Sequence, residues 1–99
     1  MMLSGKQRAY LRSLANDMPA IFQIGKGGIT DNYINQINGA LEARELIKVH
    51  VLNNSLMEPR AVCHELAELT DAEPVQVIGS KFVLYKESKE NKTIRLPYK

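Results

Sequence analysis

The spacing of apolar residues switches between a helical and a strand-like pattern along this chain, and the order of these switches constrains the fold more than any other feature. A first helix is predicted over residues 4–16, because Ser4 and Gln7 match a capping box. Two further helices are predicted over residues 30–44 and 59–70. Apolar residues recur at helical spacing at Leu11, Leu14 and Met18, at Ile34, Ile37 and Leu41, and at Val62, Leu66 and Leu69.

Four shorter runs follow the pattern of β-strands, in which side chains alternate between two faces. They cover residues 20–24, 46–52, 75–78 and 81–85. The first run is rich in β-branched and aromatic side chains, so we interpret it as a buried strand. The second places Lys48 and His50 together on its exposed face. Gly79 and Ser80 separate the last two runs and predict a tight hairpin.

The predicted order α-β-α-β-α-β-β favours right-handed crossovers and locally parallel strand pairing. A chain of 99 residues, 44% of them hydrophobic, can supply one modest core. We therefore expect an α/β fold with a single compact domain over residues 1–87, built as a four-stranded mixed sheet packed with helices. Residues 88–99 are polar and charged, and we expect a flexible C-terminal tail in which residues 93–96 could add an extended segment.

The charges are distributed unevenly along the chain. Residues 1–30 carry four basic and one acidic residue, and residues 86–99 carry five basic and two acidic ones. The intervening residues 31–85 carry four basic and eight acidic ones. Such asymmetry favours one surface for a polyanion and another that faces water.

Residues 25–28, Gly-Lys-Gly-Gly, lie between a predicted strand and a helix capped by Thr30 or Asp31. We call them the glycine loop. Glycines let the main chain approach a ligand closely, and the N-terminal end of a helix attracts anions. The loop is therefore a candidate phosphate contact with a lysine, Lys26, at its tip. The alternative is that its glycines only make the turn. The spacing excludes a nucleoside-triphosphate loop, which requires Gly-Lys-Ser or Gly-Lys-Thr.

Lys6, Arg8 and Arg12 give the first predicted helix a basic surface, since positions four apart lie on the same side of a helix. The alternative is an ordinary solvated helix face. The lysines of the C-terminal tail alternate with glutamates, and we leave them out of the candidate site.

No pattern indicates catalysis or a bound metal. His64 stands beside Cys63 and Glu65, but neighbouring helical positions point in different directions and cannot converge on one ligand. Cys63 is the only cysteine, so no internal disulfide can form. The apolar runs are far shorter than the roughly 20 residues of a membrane span. We expect a cytoplasmic monomer that is not an enzyme and needs no cofactor.

These residues resemble the CRM domain, named for chloroplast RNA splicing and ribosome maturation, in its stand-alone bacterial YhbY-type form. The resemblance covers about residues 2–86 and excludes the tail. It rests on Leu3-Ser4-Gly5-Lys6-Gln7-Arg8 with Leu11-Arg12, Gln23-Ile24-Gly25-Lys26-Gly27-Gly28-Ile29-Thr30, Leu46-Ile47-Lys48-Val49, Val75-Gln76-Val77-Ile78-Gly79 and Val83-Leu84-Tyr85-Lys86.

The resemblance implies a fold similar to the C-terminal domain of translation initiation factor three. It also implies RNA binding, with ribosomal RNA in precursors of the large ribosomal subunit as the partner and subunit assembly as the role. By the same resemblance, the glycine loop is similar to the GxxG loop of KH domains, which clamps a nucleic-acid backbone. The candidate RNA-binding residues are Gly25, Lys26, Gly27, Gly28, Lys6, Arg8 and Arg12.

Two alternatives remain open. The first is a protein-protein adaptor that docks on a ribosomal protein or an assembly GTPase through the open side of the sheet, around Lys48 and His50. The second is an enzyme that acts on RNA or a phosphorylated small molecule at the glycine loop, for which the sequence offers no base or metal site.

Overall fold

The computed structural model describes residues 3–98 and contains the predicted elements in the predicted order. The helices are α1 (Gly5–Ala15), α2 (Asp31–Arg44) and α3 (Pro59–Thr70), and the strands are β1 (Phe22–Ile24), β2 (Leu46–Val51), β3 (Glu73–Ile78) and β4 (Lys81–Tyr85). One turn of 3₁₀ helix, Asn53–Ser55, connects β2 to α3. The predicted fold class is confirmed.

The helix starts follow from local side-chain chemistry. Ser4 and Gln7 form the predicted capping box, since each side chain accepts a hydrogen bond from the other residue's N–H, at 3.1 and 3.0 Å. Of the two candidate caps of α2, Thr30 takes the role, and its hydroxyl accepts from the N–H of Tyr33 at 3.1 Å. Pro59 opens α3, where its missing N–H costs no hydrogen bond.

The four strands form one sheet in the order β1-β2-β4-β3. β1 and β2 run parallel, with Ile24 opposite Val51, and the other neighbours are antiparallel. Parallel strands need a long crossover, which α2 supplies. The carboxyl ends of β1 and β2 therefore meet at one end of the sheet, next to the turn between β3 and β4.

The sheet separates two apolar cores. On one face α2 and α3 cover the larger core, whose buried members are Ile24, Ile37, Leu41, Ile47, Val49, Val51, Val62, Cys63, Leu66, Ala67, Ala72, Phe82 and Leu84. On the other face α1 covers a smaller core made of Leu3, Leu11, Ala15, Leu46, Val75, Val83 and Tyr85. This second core uses only part of its face, so α1 leaves the rest of that face open.

Burial differs from the prediction at several apolar positions. β1 was predicted to be buried, but it lies at a sheet edge, only Ile24 of its three residues is buried, and the preceding Ile21 is 53% exposed. Leu14 and Leu69 were assigned to apolar helix faces, but they are 38% and 48% exposed. Local spacing identifies a face but not how far the neighbouring element extends over it.

The C-terminal segment, residues 88–98, lies against the domain. The buried carboxylate of Glu45 accepts hydrogen bonds from the backbone N–H groups of Ser88, Thr93 and Ile94, at 2.8, 2.7 and 2.9 Å. Burial raises the pKa of Glu45, but these hydrogen bonds outweigh burial and hold it below its ordinary value.

Glu42, one turn earlier on α2, also holds the C-terminal segment. It accepts from the hydroxyl of Ser88 at 2.6 Å and from the backbone N–H groups of Lys89 and Glu90 at 3.1 and 3.0 Å. These hydrogen bonds lower the pKa of Glu42 to about 2. The predicted flexibility concerns motion and stays a prediction, but the segment has definite contacts.

Candidate nucleic-acid interface

The glycine loop is a tight turn at the carboxyl end of β1. The N–H of Gly28 donates to the carbonyl of Gly25 at 3.0 Å, so Lys26 and Gly27 occupy the two central positions, and both are exposed. Gly28 has a φ of +69°, in the left-handed region that favours glycine. The turn therefore presents Lys26 and Gly27 to solvent.

The surrounding fold holds the residues that lead into the turn. Just before it, the N–H of Leu52 donates to the carbonyl of Ile24 at 2.9 Å, and the hydroxyl of Tyr33 donates to the carbonyl of Gln23 at 2.9 Å. Burial raises the pKa of Tyr33 to about 12, so this hydroxyl remains a donor in mildly alkaline solution as well as at neutral pH. A Cβ at Gly25 would lie 3.3 Å from Leu52 Cδ1, which leaves little room for any larger residue.

The glycine loop has fewer free backbone N–H donors than its three glycines suggest. The N–H of Gly28 is already used within the turn, and the Thr30 side chain already caps the first turn of α2. No hydrogen bond among residues 3–98 engages the N–H of Lys26 or Gly27. Asp31 lies in the first turn of α2, where its carboxylate opposes the attraction of the helix end for another anion. The N–H groups of the exposed residues Lys26 and Gly27, with the Lys26 ammonium, are therefore the candidate phosphate donors of the loop.

Gly27 and Gly28 are glycines for different reasons. A Cβ at either position would meet no atom within 4 Å. Gly28 has the positive φ that disfavours other residues, whereas Gly27 does not. The fold therefore does not require glycine at position 27, and the missing side chain leaves the main chain there accessible to a ligand.

The predicted basic residues of α1 have unequal environments. Lys6 is exposed, while Arg8 and Arg12 are half-buried. The Arg8 Nε donates to the carbonyl of Pro74 at 3.3 Å, and its guanidinium lies 3.9 Å from a carboxylate oxygen of Glu73. A partly exposed ion pair of this kind contributes less than about 1 kcal/mol. Arg8 is thus partly engaged in fastening α1 to β3.

The structure does not bring the glycine loop and Arg8 together. The loop follows β1 at one edge of the sheet, whereas Arg8 contacts β3 at the other edge. Three strand spacings separate these edges, or about 14 Å. Pro74 also lies opposite Leu84, toward the start of β2, while the loop lies beside the end of β2. One compact site cannot contain both.

The surface between these two places carries basic residues that sequence reasoning left outside the site. His50 on β2 lies directly opposite Lys81 on β4, and Lys48 lies opposite Val83. The alternation within β2 correctly predicts that Lys48 and His50 share a face. Lys81 joins them only through the pairing of β2 with β4, which the sequence pattern did not specify.

Cys63 and His64, the neighbouring helical residues considered for other chemistry, differ in exposure. Cys63 is buried, which raises the pKa of its thiol to about 11, and the adjacent His64 is exposed. Among residues 3–98, no cluster of three or more His, Cys, Asp or Glu side chains is placed to hold a metal ion. None of the helices in this part of the chain is long and apolar enough to cross a membrane.

The chain is similar to several bacterial proteins over nearly its whole length. "Probable RNA-binding protein YqeI" of Bacillus subtilis is 55% identical over 96 residues, which cover 97% of this chain and 100% of that protein. An "RNA-binding protein" of Haemophilus influenzae is 36% identical over 97 residues, covering 98% and 97%.

The solution structure of a hypothetical protein from Staphylococcus aureus, a candidate RNA-binding protein, superimposes with a TM-score of 0.80 and is 59% identical. The superposition covers 97% of this chain and 100% of the other. The family model for the CRS1/YhbY (CRM) domain matches residues 3–86, nearly the range over which the sequence resemblance was noted. The chain therefore belongs to the CRS1/YhbY (CRM) domain family.

Proposed function

We propose that this protein binds structured RNA by contacting its phosphate backbone at the glycine loop. The observation that carries the proposal is the exposed turn in which the N–H groups of Lys26 and Gly27 have no acceptor among residues 3–98. The Lys26 side chain adds a charge next to them. Relatives that match this chain over nearly their full length are named RNA-binding proteins, which supports the same function.

The contacts at this turn favour recognition of the RNA backbone over recognition of its base sequence. Backbone N–H groups and an ammonium bind phosphate oxygens, which every nucleotide carries, so they position RNA without selecting bases. Binding should weaken steeply as salt rises, because each neutralised phosphate releases counterions. Lys6 and Arg12, with the part of Arg8 that its ion pair leaves free, extend the electrostatic attraction from α1.

We propose ribosomal RNA in precursors of the large ribosomal subunit as the partner, and assembly of that subunit as the role. The support is the family resemblance. The protein acts as a cytoplasmic, non-catalytic monomer that holds an RNA segment and then leaves. Weak, salt-sensitive contacts suit such release. Sedimentation of tagged protein with precursor large subunits, but not with mature ones, would support this role, and equal sedimentation with both would contradict it.

The RNA contact is tested by measuring Kd for a structured fragment of large-subunit ribosomal RNA across a salt series. Lys26→Ala should weaken binding roughly fivefold at 0.1 M salt and reduce the log-log salt slope by about 0.7–0.9, the share of one phosphate contact. Lys89→Ala is the matched control, since Lys89 is an exposed lysine in the C-terminal segment, at the other end of the sheet. Equal binding by wild type and both variants would contradict a contact at the loop.

A further inference from the structure

One face of the sheet is covered at one end only. The core beneath α1 is made by residues toward the start of β2 and the end of β4, such as Leu46 and Tyr85. α1 stops at Ala15, and the same face of the sheet continues past it. We call the uncovered part the open sheet surface; it is formed by Lys48, His50, Gln76, Ile78 and Lys81.

The open sheet surface is concave. Five of the six residues that line its hollow of about 250 Å³ are Lys48, Gln76, Ile78, Lys81 and Val83, and Asn16 at the end of α1 closes one side. The lining contains two lysines and no carboxylate. Neither lysine forms a salt bridge with any residue of the range 3–98. The two positive charges thus lie near each other, and no acidic residue in the range 3–98 pairs with them.

The strand register sets the spacing of these charges. Lys81 lies opposite His50, which is two residues from Lys48 on the same strand face, so the two lysines are diagonal neighbours. Diagonal neighbours across antiparallel strands lie about 7–8 Å apart, with their Cβ atoms somewhat closer. This is close to the distance between neighbouring phosphates along a nucleic-acid strand. A polyanion with regularly spaced charges therefore fits this surface.

The open sheet surface lies at the same end of the sheet as the glycine loop. The N–H of Val51 donates to the carbonyl of Ser80 at 2.7 Å, which brings the β3-β4 turn beside the end of β2. Ile24, the last residue before the loop, lies opposite Val51. His50 and Lys81 are thus the basic residues of the sheet nearest to the loop, and the open sheet surface leads from there to the end of α1.

A protein partner fits the open sheet surface less well. Stable protein interfaces bury about 800 Å² on each side and usually exclude charges from their centre. Here the centre is charged, and the only large apolar side chain with high exposure in the hollow is Ile78, at 60%. The charges favour a phosphodiester backbone over an apolar protein surface.

We propose that the open sheet surface is a second RNA contact, across which an RNA strand runs from the glycine loop toward α1. Lys48 and Lys81 bind successive phosphates, and the Gln76 amide can donate to a phosphate or sugar oxygen. The surface-forming side chains include no aromatic ring, so the strand is held by its backbone rather than by base stacking of the kind used on RRM sheets. This inference rests on the proposed function and adds a path for the strand.

The test compares Lys48→Ala/Lys81→Ala with Lys89→Ala/Lys92→Ala, which removes the same charge from the C-terminal segment. Both pairs carry partly or fully exposed side chains, so both variants should fold, which circular dichroism and Tm would check. In the RNA titration at 0.1 M salt, the sheet variant should lose up to roughly 25-fold in affinity and about 1.4–1.8 units of salt slope, the share of two phosphate contacts. The control pair should change much less.

Lys26→Ala, measured in the same titrations, separates the two proposals. Weakened binding by Lys26→Ala with wild-type affinity in the sheet variant would overturn the second contact and leave the loop contact standing. No binding by wild type would overturn both. As a second readout, an RNA oligonucleotide should shift the NMR signals of Ile78 and Lys81 as well as Gly27. Shifts confined to the loop would again exclude the open sheet surface.

Discussion

The glycine loop and the C-terminal segment use their backbone N–H groups in opposite ways. In the C-terminal segment, five N–H groups donate to the carboxylates of Glu42 and Glu45. In the glycine loop, the N–H groups of Lys26 and Gly27 have no acceptor among residues 3–98. Both segments are short, polar and irregular. Backbone donors are available to an outside anion only where the fold supplies no acceptor of its own.

The same comparison explains why the basic tail is a weaker candidate for RNA contact than its charge suggests. Glu42 and Glu45 place two negative charges beneath the segment, and Lys92 forms an ion pair with Glu87 at 3.3 Å. No carboxylate lines the hollow of the open sheet surface. The basic residues of the C-terminal segment therefore have acidic neighbours that offset their charge, whereas the lysines that line the hollow do not.

The largest expected effect comes from removing the internal anion. Glu45→Ala should lower the free energy of unfolding by about 2–4 kcal/mol, because three N–H groups lose a charged acceptor in a place where water has limited access. Urea denaturation measures this change. Glu90→Ala, which removes an exposed carboxylate from the same segment, should stay within about 0.5 kcal/mol of wild type. Equal effects of the two substitutions would show that the carboxylate of Glu45 does not hold the segment.

A smaller effect is expected at the turn, where two adjacent glycines should respond differently. Gly28→Ala should cost about 1 kcal/mol of stability, because an alanine at a φ of +69° is strained. Gly27→Ala should change stability by less than about 0.5 kcal/mol and yet weaken RNA binding, since its methyl group stands where a phosphate would approach. Urea denaturation and the RNA titration separate the two. Unchanged RNA binding by Gly27→Ala would mean that no ligand approaches the main chain there.

The smallest effect is the pH dependence contributed by Glu42, because its carboxylate is near solvent. Its pKa is about 2 in the folded protein, below the ordinary value of 4.5. Its contribution to stability is therefore complete above about pH 4.5 and is lost as the pH falls toward 2. The NMR signals of the Lys89 and Glu90 amides should move as the folded protein is titrated through about pH 2. Glu42→Gln should remove the Glu42 contribution, and an unchanged titration of these amides in the variant would contradict the assignment.

Much of the fold could be predicted from the chain alone, because it depends on local chemistry. Ser4, Gln7 and Pro59 mark helix starts through their own side chains, and alternation along β2 predicts its two faces. The prediction that β1 is buried was wrong, because an apolar run has the same sequence pattern in a central strand and in an edge strand. Only the pairing of strands distant in sequence decides between the two.

The candidate site divides in the same way. The glycine loop was predictable, since three glycines between a strand and a helix predict a turn. The sequence of the loop also agrees with the family resemblance. The tertiary structure decided which of its N–H groups are free, that Arg8 reaches the opposite sheet edge, and that Glu45 meets residues 43 to 49 positions away. It also placed Lys81 beside His50. Turns and caps are determined by neighbouring residues, whereas the position of a charge relative to other charges depends on strand order and helix docking, which join residues far apart in the chain.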